Sequence, residues 1–346
     1  MDNVLSIGIL AFVGSAAVGY FTLPFLIRRM VLRNLVGPDM NKLNKPMVAE
    51  LGGIGVLFGF IFGIMAALGA DSFFGGFGGN AINLTALLAA FSTVLIIGLV
   101  GIFDDIIGWK NGIRKWQHAL FPVFAALPLM VLPQSISVTA LTIPFFGPVS
   151  FGILYSFLVV PVAITGASNA VNMLGGLNGL EAGMGALISF TLLLIMFFLP
   201  AEHAGRMEVI ILMAAMLGVL IVFLKFNWFP AKIFGGDSLT LMIGASIAAA
   251  SIIGNVEKIG LILFSVYFVE LAVKAKHRFQ SECFGVPQRD GTLAADPRGG
   301  SITQWVMKMG NLTEPEVVWR ILGIQALICA FVFFLFWFKL FKFVGG

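Results

Sequence analysis

Long apolar runs, each about as long as a membrane-crossing helix, constrain this chain more than any other feature. One extends over roughly residues 4–25 and another over roughly 86–103, and both are nearly free of charge. A helix needs about 20 mostly apolar residues to cross the hydrocarbon core of a bilayer. Only 11% of the residues are charged, whereas a soluble domain carries about a quarter. The chain is therefore predicted to be an all-α integral membrane protein, with residues 1–346 forming a single polytopic domain.

We predict ten transmembrane helices. They span roughly residues 4–25, 51–70, 86–103, 117–133, 151–167, 179–199, 208–224, 238–254, 258–274 and 318–338. The first run begins directly after Asp2 without a basic segment or a cleavage site, which indicates a retained span and not a signal peptide. Cys283 and Cys329 lie far apart in the sequence, so neither a disulfide framework nor a cysteine-pair metal site is expected.

The positive charges predict the orientation of the spans. Of the 21 Lys and Arg residues, 17 fall in or beside one alternating set of loops, at residues 26–50, 104–116, 168–178, 225–237 and 275–317. Because cytoplasmic loops carry the excess of Lys and Arg, this set is predicted to be cytoplasmic and both termini to lie outside. The other loops carry little chemistry, which argues against a pore or carrier with polar groups at mid-membrane.

The first two of these loops carry acidic and basic candidates. The first, "GPDMNKLNKPMVAELGG", contains Lys42 and Glu50 and by itself is typical of a positive-inside anchor. The second follows Asp104 and Asp105, adjacent carboxylates that repel each other and are costly to desolvate at a span end. They favour a site for a cation or a metal-bound phosphate, and Lys115 could hold that phosphate. A solvated turn with ordinary charges is the alternative.

The third loop, "NAVNMLGGLNGLEAG", offers the amide oxygens of Asn169, Asn172 and Asn178. Oxygen ligands suit Mg²⁺ or Mn²⁺, and the glycines let backbone N–H groups approach a ligand. Asn169 and Asn172 share a face if the preceding helix continues. A glycine-rich turn with helix-capping asparagines would look the same.

The fourth and fifth loops complete the set. In "KFNWFPAKIFGGDSL", Asp237 suits either a helix N-cap or a metal ligand, and Phe234 suits either a membrane anchor or a stacked base. The fifth loop, 275–317, is long enough to indicate a binding element. Its "KAKHR" run fits a membrane anchor as well as a phosphate or sugar site. Glu270 is expected to form a structural pair with Lys274, four residues later. The loops together favour an enzyme that acts on an anionic, metal-bound substrate at the cytoplasmic face.

Four motifs, "GPDMNK", "LVGIFDD", "NAVNMLGGLNGLEAG" and "FNWFPAKIFGGDS", occur in an order that resembles the polyprenyl-phosphate N-acetylhexosamine-1-phosphate transferases. The "NGLE" and "FNW" segments are more similar to the dolichyl-phosphate N-acetylglucosamine-1-phosphate transferase branch, and the divergent fifth loop suggests an archaeal member. The phospho-MurNAc-pentapeptide transferase branch typically has aspartates where Gly175 and Asn178, or their neighbours, stand here. The resemblance covers the chain from the first cytoplasmic loop to the fifth.

The resemblance implies a ten-span fold with a cytoplasmic active site. It implies transfer of a sugar-1-phosphate, GlcNAc-1-phosphate first among the candidates, from a UDP-sugar to a polyprenyl phosphate, with release of UMP. Asn172 and Asp237 would hold Mg²⁺, with Mn²⁺ as a second choice. Asp104 would position or deprotonate the lipid phosphate, Asp105 would complete the aspartate pair, and Lys115 would neutralise phosphate charge.

Substrate binding is implied at further positions. The residues assigned to it are Lys42, Glu50, Asn169, Asn178, Phe234, His277, Arg278 and Arg289. Among these, Asn178 and Phe234 match positions near the uridine, while Lys42 and Glu50 match a structural or phosphate-facing motif. The fifth loop leaves open whether His277 and Arg278, or instead Arg289, bind the sugar and pyrophosphate.

Other activities and partners complete the expectation. A phospho-MurNAc-pentapeptide-type transferase and a transporter of nucleotide or lipid-linked sugars are the alternatives, and the transporter predicts no dependence on metal. The expected partners are a UDP-sugar, a polyprenyl phosphate and membrane lipids, with no nucleic acid; a homodimer is a possible oligomeric state. The expected location is the plasma membrane, or the endoplasmic reticulum membrane in a eukaryote.

Overall fold

The computed structural model describes residues 2–73, 82–111, 120, 122–132, 140–143 and 147–339. The helices, in chain order, are α1 (Asp2–Leu32), α2 (Gly52–Phe73), α3 (Leu84–Asn111), α4 (Leu127–Met130), α5 (Val160–Met173), α6 (Leu180–Phe198), α7 (Arg206–Asn227), α8 (Gly236–Ile253), α9 (Glu257–Leu263), α10 (Ser265–Lys276), α11 (Ile302–Met307) and α12 (Glu314–Trp337). A π-helical stretch, Tyr155–Val159, leads into α5. Within the described residues, eight helical segments are long and apolar enough to cross a membrane: α1–α3, α5 together with the π-helical stretch before it, α6–α8 and α12.

In the part of the chain that the structure describes, three small antiparallel sheets form in the connections. They are built from β1 (Val36–Pro38) with β2 (Met47–Ala49), from β3 (Ala140–Ile143) with β4 (Gly147–Ser150), and from β5 (Val286–Pro287), β6 (Thr292–Ala294) and β7 (Leu312–Thr313) in that order. In the first sheet Val36 pairs with Ala49, and Ala49 also forms a parallel bridge with Ile233. The first and fourth predicted loops are therefore joined by backbone hydrogen bonds.

Helix α8 lies at the centre of the bundle. Its apolar stretch is 89% buried, and it packs against α3 and α5 most extensively. A Cβ added at Gly244 of α8 would lie 2.4 Å from the backbone oxygen of Ala167. Because such closely approaching backbones leave no room for larger side chains, small residues at these crossings allow the tight packing that stabilises helices in lipid.

The predicted number of ten spans is not established by the structure. The ninth predicted span, 258–274, is interrupted at Phe264, which separates the seven-residue α9 from the twelve-residue α10. The fourth, 117–133, lies partly outside the described residues, and its described part contains the four-residue α4. The other eight predicted spans correspond to the eight long helices.

Two predicted loops begin later than expected because the helices continue past the apolar runs. Helix α3 extends to Asn111 and includes Asp104 and Asp105, which were predicted to lie in the second loop. Helix α5 extends to Met173, so Asn169 and Asn172 are helical and lie three residues apart on neighbouring positions of one face. Hydropathy marks where apolar residues stop, whereas helical hydrogen bonding continues until a residue or contact ends it.

The same end of the bundle collects several helix termini. The carboxyl ends of α3 and α5 and the amino end of α8 meet there through side-chain hydrogen bonds. Helix α1 ends on this side and α12 begins on it. The amino end of α1 and the carboxyl end of α12 therefore lie at the opposite side of the bundle. Which side faces the cytoplasm stays a prediction. The expected pair of Glu270 and Lys274 is confirmed, with Oε1 and Nζ 3.7 Å apart.

The close crossing of α5 and α8 gives a stability prediction. Gly244→Ala should lower the free energy of unfolding by about 1–3 kcal/mol, because the added methyl group meets the α5 backbone and the helices must separate. Thermal and denaturant unfolding in detergent measure the change. Gly323→Ala in α12 is the matched control, since an added Cβ there meets nothing within 4 Å. Equal stability of the two variants would contradict the packing described here.

Candidate active site

Three predicted site residues meet where α3, α5 and α8 converge. Asp237 lies in the first turn of α8 and accepts a hydrogen bond at Oδ1 from the Asn172 amide, 3.0 Å away. The Asp237 backbone N–H donates to Asp105 Oδ1 at 2.7 Å. Two acidic residues and an amide that are far apart in the sequence therefore form one polar cluster.

Asp105 caps the amino end of α8 from the neighbouring helix. Its Oδ2 accepts hydrogen bonds from the Ser238 backbone N–H at 3.1 Å and from the Ser238 hydroxyl at 2.7 Å. The first turn of any helix leaves N–H groups without partners, and a carboxylate satisfies them and favours the positive end of the helix dipole. Gly236 adopts φ +73°, and a Cβ there would approach Asp105 Oδ2 to 2.4 Å. Glycine is thus required for this contact.

This arrangement changes the interpretation of two residues. Asp237 was considered as the N-cap of α8, but the N-cap position is Gly235, with no side-chain capping bond; the cap comes from Asp105. The catalytic role predicted for Asp105 stays a prediction, and the structure gives both of its oxygens a role in positioning Asp237. Asp104 is buried in the preceding position of α3.

Two further predicted site residues differ in what the structure says of them. Asn169 lies on the same helix as Asn172, and Lys115 is not among the described residues. The Asn169 amide donates to the Thr165 carbonyl of its own helix at 2.9 Å. Lys115, predicted to neutralise phosphate charge, lies outside the residues that the structure describes. The predicted substrate-binding role of Asn169 and the predicted role of Lys115 are both untested.

A cavity of 240 Å³ opens beside the polar cluster. It is lined by Glu50, Asn178 and Phe234, all of them predicted substrate-binding residues, and also by Gly235 and Gly236, which precede Asp237. Further lining residues are Asp39, Met40, Gly176, Leu177, Glu181, Asn227 and Phe284. The cavity therefore combines an aromatic ring, exposed glycine backbone and a few polar groups, as small-molecule sites commonly do.

Lys42 lies in an ion triad, which we define as Asp39, Lys42 and Glu314. The Lys42 ammonium is 2.6 Å from Asp39 Oδ2 and 2.6 Å from Glu314 Oε2. It also lies over the ring of Phe229, 4.5 Å from the centroid. Of the two roles expected for Lys42, structural and phosphate-facing, these contacts favour the structural one.

Asn41 joins three loops around the cavity. Its amide nitrogen donates to the Gly176 carbonyl at 2.8 Å, and its amide oxygen accepts from the Gly285 backbone N–H at 3.0 Å. Glu181 accepts from the Gly176 N–H at 2.7 Å. The third loop is consequently held from both sides. Its asparagines do not cap α6 in the way considered from the sequence, because that helix begins after Gly179 without a side-chain cap.

The fifth loop forms a folded unit beside the cavity. Its sheet and α11 are tied to α10 by Glu270, whose Oε2 accepts from the Ile302 backbone N–H at 2.7 Å. Cys283, buried in this unit, donates to the Met173 carbonyl at 3.2 Å, and burial raises the pKa of its thiol to about 11. The thiol is therefore protonated at neutral pH.

The basic candidates of the fifth loop do not line the cavity. The His277 ring donates Nδ1–H to the Val273 carbonyl at 2.9 Å, since a carbonyl can only accept. Arg278 and Arg289 are both exposed. Whether His277 and Arg278, or instead Arg289, bind the sugar and pyrophosphate stays open.

The donor set near Asp237 fits a magnesium ion shared with a substrate. Within the described ranges, no three His, Cys, Asp or Glu side chains gather closely enough to hold a metal by themselves. Mg²⁺ commonly takes one or two protein oxygens and completes its shell with water and substrate phosphates. The Asp237 carboxylate offers one oxygen, and a half-turn of the Asn172 amide offers a second beside it.

Sequence reasoning did not assign several residues that shape the site. Asp39 and Asn41 were visible only as polar residues of the first loop. Glu314 lies at the start of the last long helix and resembles an ordinary residue of a helix's first turn. Its partner Lys42 is 272 residues away, so only the folded chain reveals their contact.

The fold and the site define a polytopic helical membrane protein with carboxylates and amides gathered at one end of its bundle. The sequence profile described as "Glycosyl transferase family 4" matches residues 87–255, which include Asp105, Asn172 and Asp237. A relative from Saccharolobus solfataricus is 35% identical over 311 residues, covering 90% of this chain and 91% of the relative. A relative from Sulfolobus acidocaldarius is 37% identical, and the match covers 87% of this chain and 88% of the relative. The chain therefore belongs to glycosyl transferase family 4.

The names of these relatives differ between branches. Both archaeal relatives are named "Putative UDP-N-acetylglucosamine--dolichyl-phosphate N-acetylglucosaminephosphotransferase". A relative from Limosilactobacillus reuteri, named phospho-N-acetylmuramoyl-pentapeptide-transferase, is 32% identical and covers 78% of this chain and 81% of its own. The resemblance inferred from the four motifs is thus confirmed.

The cap between helices gives a second prediction. Asp105→Ala should lower the free energy of unfolding by about 1–2 kcal/mol, the usual cost of losing a helix N-cap. Ser238→Ala should cost less, and the two changes should not add, because both remove the same hydroxyl–carboxylate bond. Denaturant unfolding of both single variants and the double variant measures this coupling.

Ser246→Ala provides the control for that cycle. Ser246 is buried in α8, but its hydroxyl bonds the Ile243 carbonyl of its own helix. Its effect should therefore add to that of Asp105→Ala within about 0.5 kcal/mol. Additive energies for the Asp105 and Ser238 changes as well would show that the hydroxyl–carboxylate bond between them contributes nothing.

Proposed function

We propose that this protein transfers GlcNAc-1-phosphate from UDP-GlcNAc to a polyprenyl phosphate such as dolichyl phosphate and releases UMP. The observation that carries the proposal is the meeting of Asp237 and Asn172 beside a cavity lined by Phe234. An oxygen pair for a phosphate-bound metal thus lies next to an aromatic ring suited to a base. The names of the archaeal relatives, at 35% and 37% identity, support this donor and acceptor.

The reaction requires one bond to form and one to break at phosphorus. An oxygen of the lipid phosphate attacks the β-phosphorus of the UDP-sugar, and the bond from that phosphorus to the bridging oxygen breaks. UMP leaves with the bridging oxygen, and the sugar remains on the new lipid diphosphate. Phosphoryl transfer of this kind depends chiefly on in-line positioning and on neutralising charge.

The chain's own residues supply that positioning. Asp237 and Asn172 would hold Mg²⁺, or Mn²⁺ in its place, and Asp105 fixes Asp237 through the amino end of α8. An ion held there would supply positive charge to offset the negative charge of the diphosphate. Asp104 orients the lipid phosphate or accepts its proton, and Lys115 offsets phosphate charge. Because a phosphate is already ionised at pH 7, a strong base is unnecessary and direct attack is favoured over a covalent aspartyl intermediate.

The cavity receives the nucleoside end of the donor. Phe234 stacks on the base, and the glycine backbone at Gly176 and Gly235 admits it closely. The site faces the cytoplasm, a placement supported by the 17 of 21 Lys and Arg residues in or beside the loops on that side. In an archaeal or bacterial cell the proposed location is the plasma membrane, and in a eukaryote the endoplasmic reticulum membrane.

The activity is tested by UMP release from the purified full chain in detergent. We expect UMP only when UDP-GlcNAc, dolichyl phosphate and Mg²⁺ are all present, and none when EDTA removes the ion. UMP with UDP-MurNAc-pentapeptide but not with UDP-GlcNAc would assign the chain to the other branch. Absence of UMP with every donor and every polyprenyl phosphate would overturn the transferase and favour transport.

The division of roles between the acids is tested by two variants. Asp237→Ala should abolish turnover and weaken the Mg²⁺-dependent binding of UDP-GlcNAc, because an ion ligand is lost. Asp104→Asn should lower kcat by about 100-fold, within the usual range for a proton-handling group, and leave UDP-GlcNAc binding unchanged.

Isothermal titration of UDP-GlcNAc, with and without Mg²⁺ and without lipid acceptor, measures binding apart from turnover. Glu202→Gln is the matched control, since Glu202 is exposed in the connection between α6 and α7 at the opposite end of the bundle. Loss of UDP-GlcNAc binding in Asp104→Asn would show that the acids do not divide their roles in this way.

A further inference from the structure

The ion triad holds Asn178, a residue of the cavity wall, by two separate groups. The Asn178 amide nitrogen donates to Asp39 Oδ2 at 3.1 Å, and its backbone N–H donates to Glu314 Oε1 at 2.7 Å. Lys42 links the two carboxylates, at 2.6 Å from each. Asp39, Asn178 and Glu314 are all buried, with exposed fractions of 2–4%. The position of Asn178 is therefore fixed at both its backbone and its side chain.

The contact with Asp39 also decides which way the Asn178 amide faces. A carboxylate accepts hydrogen bonds and does not donate them, so the amide nitrogen must face Asp39 and the amide oxygen must face away. The polar atom that Asn178 keeps for a ligand in the cavity is then the oxygen, a hydrogen-bond acceptor. Such an acceptor matches a base that presents an N–H group.

The charge of the triad assigns the base to this end of the cavity. Two carboxylates and one ammonium leave a net negative charge beside Asn178. A phosphate would be repelled there, whereas an uncharged base would not. The opposite part of the lining, Gly235 and Gly236, leads directly to Asp237, where the diphosphate is expected.

We propose that Asp39, Lys42 and Glu314 form a positioning triad that selects uracil over cytosine by holding the Asn178 amide oxygen toward the cavity. This inference rests on the proposed function and assigns base selection within its donor site. Uracil carries an N–H at its third ring position, whereas cytosine has an unprotonated nitrogen there and accepts. The acceptor oxygen of Asn178 bonds the first base and opposes the second.

Glu314 acts through Asn178 and does not contact the donor itself. It lies at the start of α12, directly after β7 of the fifth-loop sheet, so it connects that loop to the cavity wall. Lys42 allows two acids to be buried side by side, since an isolated buried carboxylate would be strongly destabilising. Each member therefore acts as a positioning residue for Asn178.

The test compares UMP and CMP binding to the full chain in detergent by isothermal titration calorimetry. The variants are Asp39→Asn and Glu314→Gln. An asparagine at position 39 can donate as well as accept, so the Asn178 amide can turn and present its nitrogen. We expect the wild type to prefer UMP and Asp39→Asn to lose about tenfold of that preference, equivalent to about 1.4 kcal/mol.

Glu314→Gln should reduce the preference less than Asp39→Asn does. A glutamine oxygen can still accept from the Asn178 N–H, but its amide nitrogen opposes Lys42 and loosens the triad. The control is Glu316→Gln in the same turn of α12. Glu316 is exposed and caps Thr313, so its loss weakens the helix start without touching the cavity. Melting temperatures of all variants separate altered selection from loss of folding.

The outcomes separate the inference from the function on which it rests. A reduced ratio of UMP to CMP affinity in both triad variants, with an unchanged ratio in Glu316→Gln, supports the triad as a selector. An unchanged ratio in folded triad variants overturns the inference and leaves the transferase intact. Absence of binding by either nucleotide to the wild type, together with absence of UMP release, overturns both.

Discussion

The structure depends on how the first turn of α8 is satisfied inside a membrane bundle. Backbone N–H groups at a helix start have no partners within the helix, and lipid surroundings offer none. Asp105 supplies them from α3 through bonds to Asp237 N–H, Ser238 N–H and the Ser238 hydroxyl. The same bonds set the distance between α3 and α8 and direct the Asp237 side chain toward Asn172. A requirement of membrane folding therefore also builds the polar cluster of Asp105, Asn172 and Asp237.

The site has two parts with opposite electrostatic needs. Around Asp237 the neighbouring carboxylates favour a cation. This end of the cavity is therefore suited to a diphosphate that carries a metal ion. Around Asn178 the acids are already compensated in part by Lys42, which suits an uncharged base. The glycine-rich third loop joins the two parts, held by Asn41 on one side and Glu181 on the other. In the proposed function, the chemistry on the donor and the recognition of its base are thus separated along one cavity.

The sequence predicted those site residues that lie in short motifs rich in polar residues and glycines. Asn172 and Asp237 stood out because their side-chain oxygens lie beside glycines at the ends of apolar runs and suit a metal ion, and the family resemblance gave them roles. Glu314 could not be predicted in that way, because its role depends on its contact with Lys42, which lies near the other end of the sequence. The fold was predicted well where apolar runs are continuous. It was predicted less well at Phe264, where a local turn interrupts a run of unchanged hydropathy.

The contact between Lys42 and Glu314 joins the first loop of the chain to the start of its last long helix. During synthesis at a translocon, the first loop emerges long before α12. Until that helix is inserted, Asp39 and Lys42 have each other but lack the second carboxylate, and the Asn178 N–H lacks its acceptor. The cavity proposed to bind the nucleotide is therefore completed only at the end of membrane integration. A chain released early would carry most of its spans and still have an incomplete cavity.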